Sequence, residues 1–273
     1  MAIVPTLIMK YKNDIMSDET LLFRLENSQK MKKRTLSLLF AIGMNLLGAI
    51  AVPKFAQADE PNYVLAISWQ PGFCETRPNL PECESQTGDR FDATHFSIHG
   101  LWPQPRNNIY CNVSRTIEQT DRDGQWLDLP ALDLSTSTRR ELQIKMPGYE
   151  SGLHRHEWYK HGTCYSATPE EYYRETIALL DRLNASPVRT LFAQNLENDI
   201  TDDWVSQAFD REFGAGSKVS MRCKWVDGEN LIYELRINLR GEIDEDSDIT
   251  DLLWAAPDAR SGCSLGQVDS VEE

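Results

Sequence analysis

The stretch His156-Glu-Trp-Tyr-Lys-His161 brings four ionisable side chains together within about a turn and a half of helix. At about 100° per residue, a helical backbone would project these four side chains within one arc of about 140°. In angular order they are His156, Lys160, Glu157 and His161. The aromatic residues Trp158 and Tyr159 fall outside the arc, where a ring can anchor the other face in a core. The pattern predicts a helix that presents two imidazoles, a carboxylate and an ammonium on one side.

A third histidine, His99, lies upstream in the strand-like run Phe96-Ser-Ile-His-Gly-Leu-Trp-Pro103. Two histidines can serve as acid and base near neutral pH, where imidazole titrates. A lysine beside them can stabilise the charge that builds on a phosphate group. Together, His99 and the 156–161 segment indicate a ribonuclease that needs neither a metal ion nor another cofactor.

Three other interpretations of the 156–161 segment are open. A helix face of mixed charge is often only a solvated surface. The segment also resembles the His-Glu-x-x-His helix of zinc proteases, but its second histidine comes one residue later. A spacing of five residues turns His161 about 140° away from His156 instead of placing both on one ligating edge. A non-catalytic binding protein is the third alternative, although intact catalytic residues argue against it.

The blocks His99-Gly-Leu-Trp-Pro103 and His156-Glu-Trp-Tyr-Lys-His-Gly-Thr-Cys164 together resemble the two active-site blocks of the ribonuclease T2 family. They stand in the family's order, about 50 residues apart. The resemblance extends over residues 62–263 and is diffuse outside the blocks. It implies an exported endoribonuclease that converts single-stranded RNA first to a 2′,3′-cyclic phosphate and then to a 3′-phosphate.

The resemblance also implies a role for each polar residue of the two blocks. His161 would be the base that takes the proton of the ribose 2′-hydroxyl, and His99 the acid that protonates the departing 5′-oxygen. His156 would hold the phosphate, while Lys160 and Glu157 would support the phosphorane-like transition state. Glu157 can also orient or charge an imidazole, because a carboxylate near a phosphate is otherwise electrostatically unfavourable.

Two aromatic residues are candidates for substrate binding. By resemblance, Trp102 contacts the base on the 5′ side, and Tyr110 offers a second ring on which a base can stack. The alternative is that both are ordinary aromatic residues of the core or of a turn. Stacking of this kind is worth about 1–3 kcal/mol per base. Some family members carry an aspartate two residues beyond the tryptophan, whereas this chain has Gln104, which leaves base preference open. His95 and His154 lie outside both motifs, and we expect them to be structural.

The N-terminal part of the sequence predicts an exported protein. Met31-Lys-Lys-Arg34 is a basic segment, residues 36–52 are apolar, and Ala56-Gln-Ala58 supplies a small-residue cleavage site. A membrane anchor is the alternative, but the apolar run is interrupted by Asn45 and is short for a span. The predicted segments are an extension at 1–30 that reflects a start codon placed too early, a signal peptide at 31–58 and a catalytic domain at 59–273. The predicted location is periplasmic or secreted.

All six cysteines lie in the predicted exported part, as expected of an oxidising compartment. Six cysteines allow 15 pairings, and spacing alone does not choose among them. The family resemblance implies the pairs Cys111–Cys164 and Cys223–Cys263, which leaves Cys74–Cys83 as a local loop closure. No Cys-x-x-Cys spacing occurs, so neither a zinc knuckle nor a thioredoxin-like motif is indicated.

The charge of the chain is unusual for a protein that acts on a polyanion. The sequence has 28 Lys and Arg and 42 Asp and Glu; residues 1–58 hold 8 and 4 of these, which leaves 20 against 38 and a net charge of −18. Such a surface repels RNA and lacks the counterion release of basic binders, so a protein that does not touch nucleic acid is the competing interpretation. We expect weak RNA binding at a local cationic pocket, with acid pH relieving the repulsion. RNA is the predicted partner of a monomer that binds neither DNA nor, after signal cleavage, a membrane.

Apolar periodicity and turn residues predict interspersed helices and strands. The predicted strands cover residues 63–69, 94–101, 218–225 and 231–239. The last two would form a hairpin around Asp227-Gly228, a pair that favours a tight turn. The predicted helices run over 138–146, from the capping box at Thr168 to 183, from Ser186 onward, and from Thr201 to Gly214.

Two segments are predicted to lack regular structure. The acidic stretch at 242–251 has the composition of a solvated loop, and the tail after Cys263 is expected to fray. The remaining elements predict an α+β fold, in which a central antiparallel sheet is flanked by helices and disulfides staple a single domain.

Overall fold

The longest strand of the sheet, β5 (Glu229–Leu239), has paired neighbours along both of its edges. The computed structural model describes residues 60–271. The other strands in this range are β1 (Tyr63–Ser68), β2 (Ser97–Pro103), β3 (Asn198–Thr201), β4 (Val219–Val226) and β6 (Leu265–Val268). The sheet order is β2-β1-β5-β6-β3, and β4 pairs with β5. Every pair is antiparallel except a single parallel contact between Leu231 and Gln267. The predicted α+β class is therefore confirmed.

The turn between β4 and β5 agrees with the predicted hairpin. Val226 pairs directly with Glu229, so only Asp227 and Gly228 connect the two strands. Both have positive φ angles, 47° and 102°. A two-residue turn of this handedness follows the right-handed twist of the strands, and Asp-Gly is among the pairs that adopt it most readily.

The helices begin where the predicted capping residues lie. Thr168, Ser186 and Thr201 each accept a hydrogen bond from a backbone N–H of the first turn that follows. Gly214 ends the third of these helices with a left-handed φ of 63°. The helices in residues 60–271 are α1 (Gln70–Thr76), α2 (Pro81–Glu84), α3 (Arg115–Arg122), α4 (Thr136–Lys145), α5 (Leu153–Lys160), α6 (Pro169–Asn184), α7 (Pro187–Ala193), α8 (Asp202–Phe213) and α9 (Ile249–Ala255).

The segment after Cys263 is a strand, so the prediction of a frayed tail is wrong. Strand β6 pairs with β3 over four residues, from Leu265 to Val268, and Val268 is fully buried. Its partner lies far away in the chain, so local periodicity does not reveal it. The prediction of a loop at 242–251 also needs correction, because Asp248 caps α9, which begins at Ile249.

Helix α6 fixes the strand that carries the first sequence block. Tyr172 of α6 is fully buried, and its hydroxyl accepts from the amide of Leu101 at 3.1 Å and donates to the carbonyl of the same residue at 3.0 Å. Strand β2 pairs with β1 on one edge only, so this side chain satisfies backbone groups that have no strand partner. Strand β2 is thereby held between β1 and α6.

Three disulfides join segments that are not neighbours in the sheet. They are Cys74–Cys83, Cys111–Cys164 and Cys223–Cys263. The last two are the pairs that the family resemblance implies, and the first is the pair that they leave. The second ties the loop after β2 to the short 3-10 turn Gly162–Cys164 that follows α5. It therefore ties the loop that follows the first block to the end of the second block.

The predicted extension at 1–30 and signal peptide at 31–58 lie outside the described residues. Within residues 60–271, no helix combines the length and the apolar character that crossing a membrane requires.

We expect serine at both Cys111 and Cys164 to lower the unfolding midpoint more than serine at both Cys74 and Cys83. The two disulfides span 53 and 9 residues, and a longer closed loop restricts the unfolded chain more. Loss of a native disulfide costs about 2–5 kcal/mol. Thermal unfolding followed by circular dichroism measures both midpoints. A loss that is equal or larger in the Cys74→Ser/Cys83→Ser protein would contradict this expectation.

Candidate active site

An irregular pairing in β2 determines the position of His99. Along the β1–β2 ladder, Ala66 pairs with Gly100 and Ile67 with Ile98, so the residue between them has no partner on β1. An extra residue of this kind is a β-bulge, which bends the strand and re-aims its side chain. His99 is thereby released from the regular alternation of the strand, and 32% of its side chain is exposed.

The imidazole of His99 contacts a buried carboxylate on β5. Its Nδ1 lies 2.5 Å from Oε2 of Glu234, and Nε of Arg236 donates to the other carboxylate oxygen at 2.6 Å. Removal from water lowers the pKa of His99, but the hydrogen bond to Glu234 and the charges of Glu157 and Glu234 outweigh this and raise the pKa above its ordinary value. Burial raises the pKa of Glu234, but His99 and Arg236 outweigh burial and lower it.

Glu157 is the group around which the predicted residues converge. Its side chain is 1% exposed, and Oε1 lies 3.8 Å from Nε2 of His99 and 3.8 Å from Nε2 of His156. Its other oxygen accepts a hydrogen bond from the indole of Trp102 at 2.9 Å. Residues from β2 and α5 therefore meet at one carboxylate.

The close approach of Glu157 to β2 depends on a glycine. A Cβ atom built on Gly100 would lie 2.0 Å from Oε2 of Glu157 and 2.6 Å from Nε1 of Trp102. Both separations are far below van der Waals contact. Gly100 is therefore the residue that makes room for the bond between the carboxylate and the indole.

His156 is held by a second buried carboxylate. Its Nδ1 lies 2.8 Å from Oδ1 of Asp121, near the end of α3, and the hydroxyl of Tyr110 donates to Oδ2 at 2.7 Å. The ring of Trp126 stacks on the imidazole with centroids 4.4 Å apart. The side chain of Asp121 is completely buried, so these two contacts satisfy a carboxylate that water does not reach.

His161 lies at the C-terminal cap of α5 and differs from the other two histidines of the site. Its Nδ1 is buried and has no hydrogen-bond partner among the described residues. Burial lowers the pKa of His161 to about 4; the charge of Glu157 opposes this, and the charges of Lys160, His156 and His99 add to it. The imidazole is therefore neutral over most of the pH range.

Lys160 and Tyr110 are brought together by the backbone. The amide of Tyr110 donates to the carbonyl of Lys160 at 2.9 Å, next to the Cys111–Cys164 disulfide. Tyr110 has a positive φ of 55°, and the guanidinium of Arg122 lies 4.8 Å from the centre of its ring. One face of Tyr110 is thus covered by a cation.

Trp102 lies among the site histidines. Its ring centre is 5.1 Å from that of His99 and 5.7 Å from that of His161. The guanidinium of Arg236 lies 5.2 Å from the ring centre. An aromatic surface beside the histidines, with a cation over it, can hold a base close to the groups that would act on its nucleotide.

The two remaining histidines contact other parts of the molecule. His154 is buried, its ring stacks on that of Tyr149, and burial lowers its pKa to about 4. The ring of His95 stacks on Phe91, and its Nδ1 lies 3.2 Å from the carbonyl oxygen of that residue. Neither has a described contact with the site, which agrees with the structural role expected of both.

Four residues of the site are not predicted from the sequence: Asp121, Trp126, Glu234 and Arg236. In the predicted hairpin, Glu234 and Arg236 belong to the polar positions that alternate with apolar ones, so their pattern indicates a solvent-facing side. The role of these two residues could have been recognised only from the position of β5 inside the sheet, where a charged side chain needs a partner. Asp121 stands in a polar helix, and no feature of the local sequence distinguishes it.

The arrangement brings together imidazoles that differ in their protonation. His99 has a raised pKa and His161 a lowered one, and the Trp102 ring is close to both imidazoles. A pair of groups whose surroundings drive their pKa values apart suits proton donation by one and acceptance by the other. Within residues 60–271, no three His, Cys, Asp or Glu side chains are grouped so as to hold a metal ion.

Comparison with known proteins identifies relatives along most of the chain. It is 25% identical to ribonuclease I of Escherichia coli (strain K12) over 215 residues, which cover 71% of this chain and 80% of that protein. It is 29% identical to a ribonuclease of Aeromonas hydrophila over 138 residues, 47% of this chain and 53% of the relative.

The fold has counterparts among solved structures. The structure of RNase NT in complex with 5′-AMP superposes with a TM-score of 0.53 and 18% identity, and the match covers 78% of this chain and all of that one. The sequence profile of the ribonuclease T2 family matches residues 61–250, which is more than half of the sequence. The chain therefore belongs to the ribonuclease T2 family of endoribonucleases.

Proposed function

We propose that the chain is an exported endoribonuclease that cleaves single-stranded RNA by transphosphorylation, using a histidine acid–base pair and no metal ion. The proposal rests on two histidines that lie beside the Trp102 ring: the pKa of His99 is raised and that of His161 is lowered. His161 is neutral and able to accept a proton under conditions in which His99 is charged and able to donate one. RNA needs both, because its own 2′-hydroxyl is the nucleophile.

The first step forms a cyclic phosphate. The unprotonated nitrogen of His161 removes the proton of the 2′-hydroxyl, and the 2′-oxygen forms a bond to phosphorus. The bond from phosphorus to the 5′-oxygen breaks, and Nε2 of His99 gives its proton to that oxygen. The products are an RNA that ends in a 2′,3′-cyclic phosphate and one that begins with a 5′-hydroxyl. In this step the phosphoryl group is transferred from the 5′-oxygen to the 2′-oxygen of the same RNA, as in lyase- or transferase-type ribonucleases.

The second step opens the cyclic phosphate with the roles of the two histidines exchanged. His99, now neutral, takes a proton from water, and the resulting hydroxide attacks phosphorus. His161, now charged, returns its proton to the 2′-oxygen as that bond breaks. Each histidine ends in the protonation state in which it began, and the product is a 3′-phosphate.

The remaining predicted residues bind the phosphate and the base. His156 and Lys160 provide donors for the non-bridging oxygens, where negative charge increases in the transition state. Glu157 lies close to the imidazoles of His99 and His156 and to the indole of Trp102. We assign to it the orientation of the histidines and the stabilisation of their protonated forms. Trp102 is the proposed surface for the base on the 5′ side, and Tyr110 the proposed second contact.

Three further properties belong to the proposal. DNA is not a substrate because it lacks the 2′-hydroxyl that performs the attack. The basic and apolar residues at 31–58 support export as a signal peptide. Cleavage would release the catalytic domain, residues 59–273, into the periplasm or the medium. The domain is proposed to act as a monomer, because the proposed reaction requires no residue from a second chain.

We expect RNA to be cleaved in the presence of EDTA and DNA to remain intact. No step of the proposed reaction uses a metal ion. Gel analysis of mixed RNA and of single-stranded DNA, each with and without chelator, measures this. Activity that is lost in EDTA and restored by Zn²⁺ would favour a zinc hydrolase instead, and RNA left unchanged after long incubation at acid to neutral pH would favour a non-catalytic binding protein.

We expect His99→Ala and His161→Ala each to reduce kcat by about 10²–10⁴-fold, the usual contribution of a positioned acid or base. His95→Ala is the matched control, because it removes a partly buried histidine of the same segment that stacks on Phe91. The rate of cleavage of a short RNA measures all three. Near-native rates in both His99→Ala and His161→Ala would contradict the assignment of the pair.

We expect a bell-shaped dependence of kcat/KM on pH. The acid limb should lie near pH 4, because His161 must be neutral and its pKa is lowered to about 4. The alkaline limb should lie above about pH 6.5, the ordinary value for histidine, because His99 must be protonated and its pKa is raised. Initial rates across buffers of constant ionic strength measure both limbs. An acid limb at or above pH 6.5 would contradict the role of His161 as base.

A further inference from the structure

The contact between His99 and Glu234 passes over an intervening strand. Strand β1 runs between β2 and β5, and it pairs Ser68 with Glu234 and Ala66 with Arg236. Neighbouring strands are about 4.8 Å apart, so the backbones of β2 and β5 lie about 10 Å apart. Ala66 and Ser68, the β1 residues paired with Arg236 and Glu234, have small side chains, which is consistent with a contact that crosses β1.

Glu234 decides which nitrogen of His99 carries a proton. The lowered pKa of Glu234 keeps it ionised, and an ionised carboxylate only accepts hydrogen bonds. Nδ1 of His99 must therefore donate. The other nitrogen, Nε2, is directed towards Glu157, whose Oε1 is 3.8 Å away. Proton exchange with the substrate is then restricted to Nε2.

We propose that Glu234 is a positioning residue that holds His99 in its Nδ1–H form and leaves Nε2 as the nitrogen that gives and takes the catalytic proton. This inference rests on the proposed role of His99 as the acid of the first step. When the Nε2–H bond breaks and the proton moves to the 5′-oxygen, the Nδ1–H bond to Glu234 is retained. Glu234 stays ionised through both steps and does not touch the substrate.

Charged groups face His99 from two other elements. Glu234 and Arg236 face it from β5, and Glu157 and His161 from α5 and its C-terminal cap. The two carboxylates favour the imidazolium, whereas Arg236 and a protonated His161 disfavour it. Glu234 is the one among them whose oxygen lies at hydrogen-bond distance from the His99 ring.

A purely structural role for Glu234 leads to a different expectation. In that case Arg236 would be the partner that matters for Glu234, as Arg90, with a longer bond from Gln86, is for Asp92. The two acids are alike in that each is 1% exposed and is bonded by an arginine two residues away. Asp92 has no imidazole partner among its described contacts. If Glu234 served only Arg236, its loss would affect stability and leave His99 unchanged.

Titration of the histidine rings by NMR, on the full chain without substrate, tests the inference. The chain has only five histidines, so each ring can be followed. In the unaltered protein we expect the nitrogen shifts of neutral His99 to show the Nδ1–H form. In Glu234→Gln we expect its pKa to fall by at least about one unit, because an opposite charge at this range is worth about 1–3 units. Glu234→Asp should restore part of this shift, and Arg236→Gln should raise the pKa instead.

The same variants change the kinetics in a direction that a structural role would not. Because the alkaline limb of activity on RNA reports the loss of protonated His99, it should move to lower pH in Glu234→Gln by the same amount as the pKa. The effect should fall on kcat, with KM close to that of the unaltered protein. Asp92→Asn is the control, and it should keep the original limb even if its thermal stability decreases.

Two results would overturn the inference. One is a neutral His99 with its proton on Nε2 in the unaltered protein. The other is a His99 pKa that does not fall in Glu234→Gln; if that variant does not fold, the protonated nitrogen of neutral His99 in the unaltered protein decides. The NMR measurement needs no RNA cleavage, so a chain inactive on RNA would defeat the proposed function and leave this test intact.

Discussion

The burial of the Glu157 carboxylate is the constraint on which the site depends. A carboxylate that is 1% exposed is costly unless hydrogen bonds and opposite charges compensate for the lost water. Its compensation comes from the Trp102 indole and from two imidazoles that belong to different segments. Gly100 provides the space for this contact. Helix α5 can therefore bury Glu157 only where β2 carries its bulge at His99 and the small residue Gly100. The contact that completes the fold thus also assembles the site.

The positive charge of the site comes from protonated His99 and from the side chains of Lys160 and Arg236. Three buried carboxylates lie beside the three imidazoles: Asp121, Glu157 and Glu234. With neutral imidazoles, these acids would repel a phosphate, as the rest of an acidic chain does. The protonated form of His99, together with the side chains of Lys160 and Arg236, opposes this repulsion near the scissile bond. A protein of this composition can thus attract a polyanion at one place without a basic surface.

Elements determined by local chemistry were predictable from the sequence, and those determined by distant partners were not. The caps at Thr168, Ser186 and Thr201 and the turn at Asp227-Gly228 depend on neighbouring residues, and each is found where the sequence predicts it. Strand β6 was missed because its partners are β3 and β5, which a four-residue segment does not indicate. Glu234 was missed for the same reason: its contact to His99 arises from strand order.

The spacing of the 156–161 segment directs its polar side chains to different parts of the fold, whereas a zinc-protease helix directs two histidines to one metal ion. An arc of about 140° directs successive side chains to different neighbours instead of to one ligand. His156 reaches Asp121 of α3, and Glu157 reaches Trp102 of β2. His161 lies just beyond the last helical residue, with Nδ1 unpaired and its ring near Trp102. The surroundings of His99 raise its pKa and those of His161 lower it, and this difference is what a shared acid–base reaction requires.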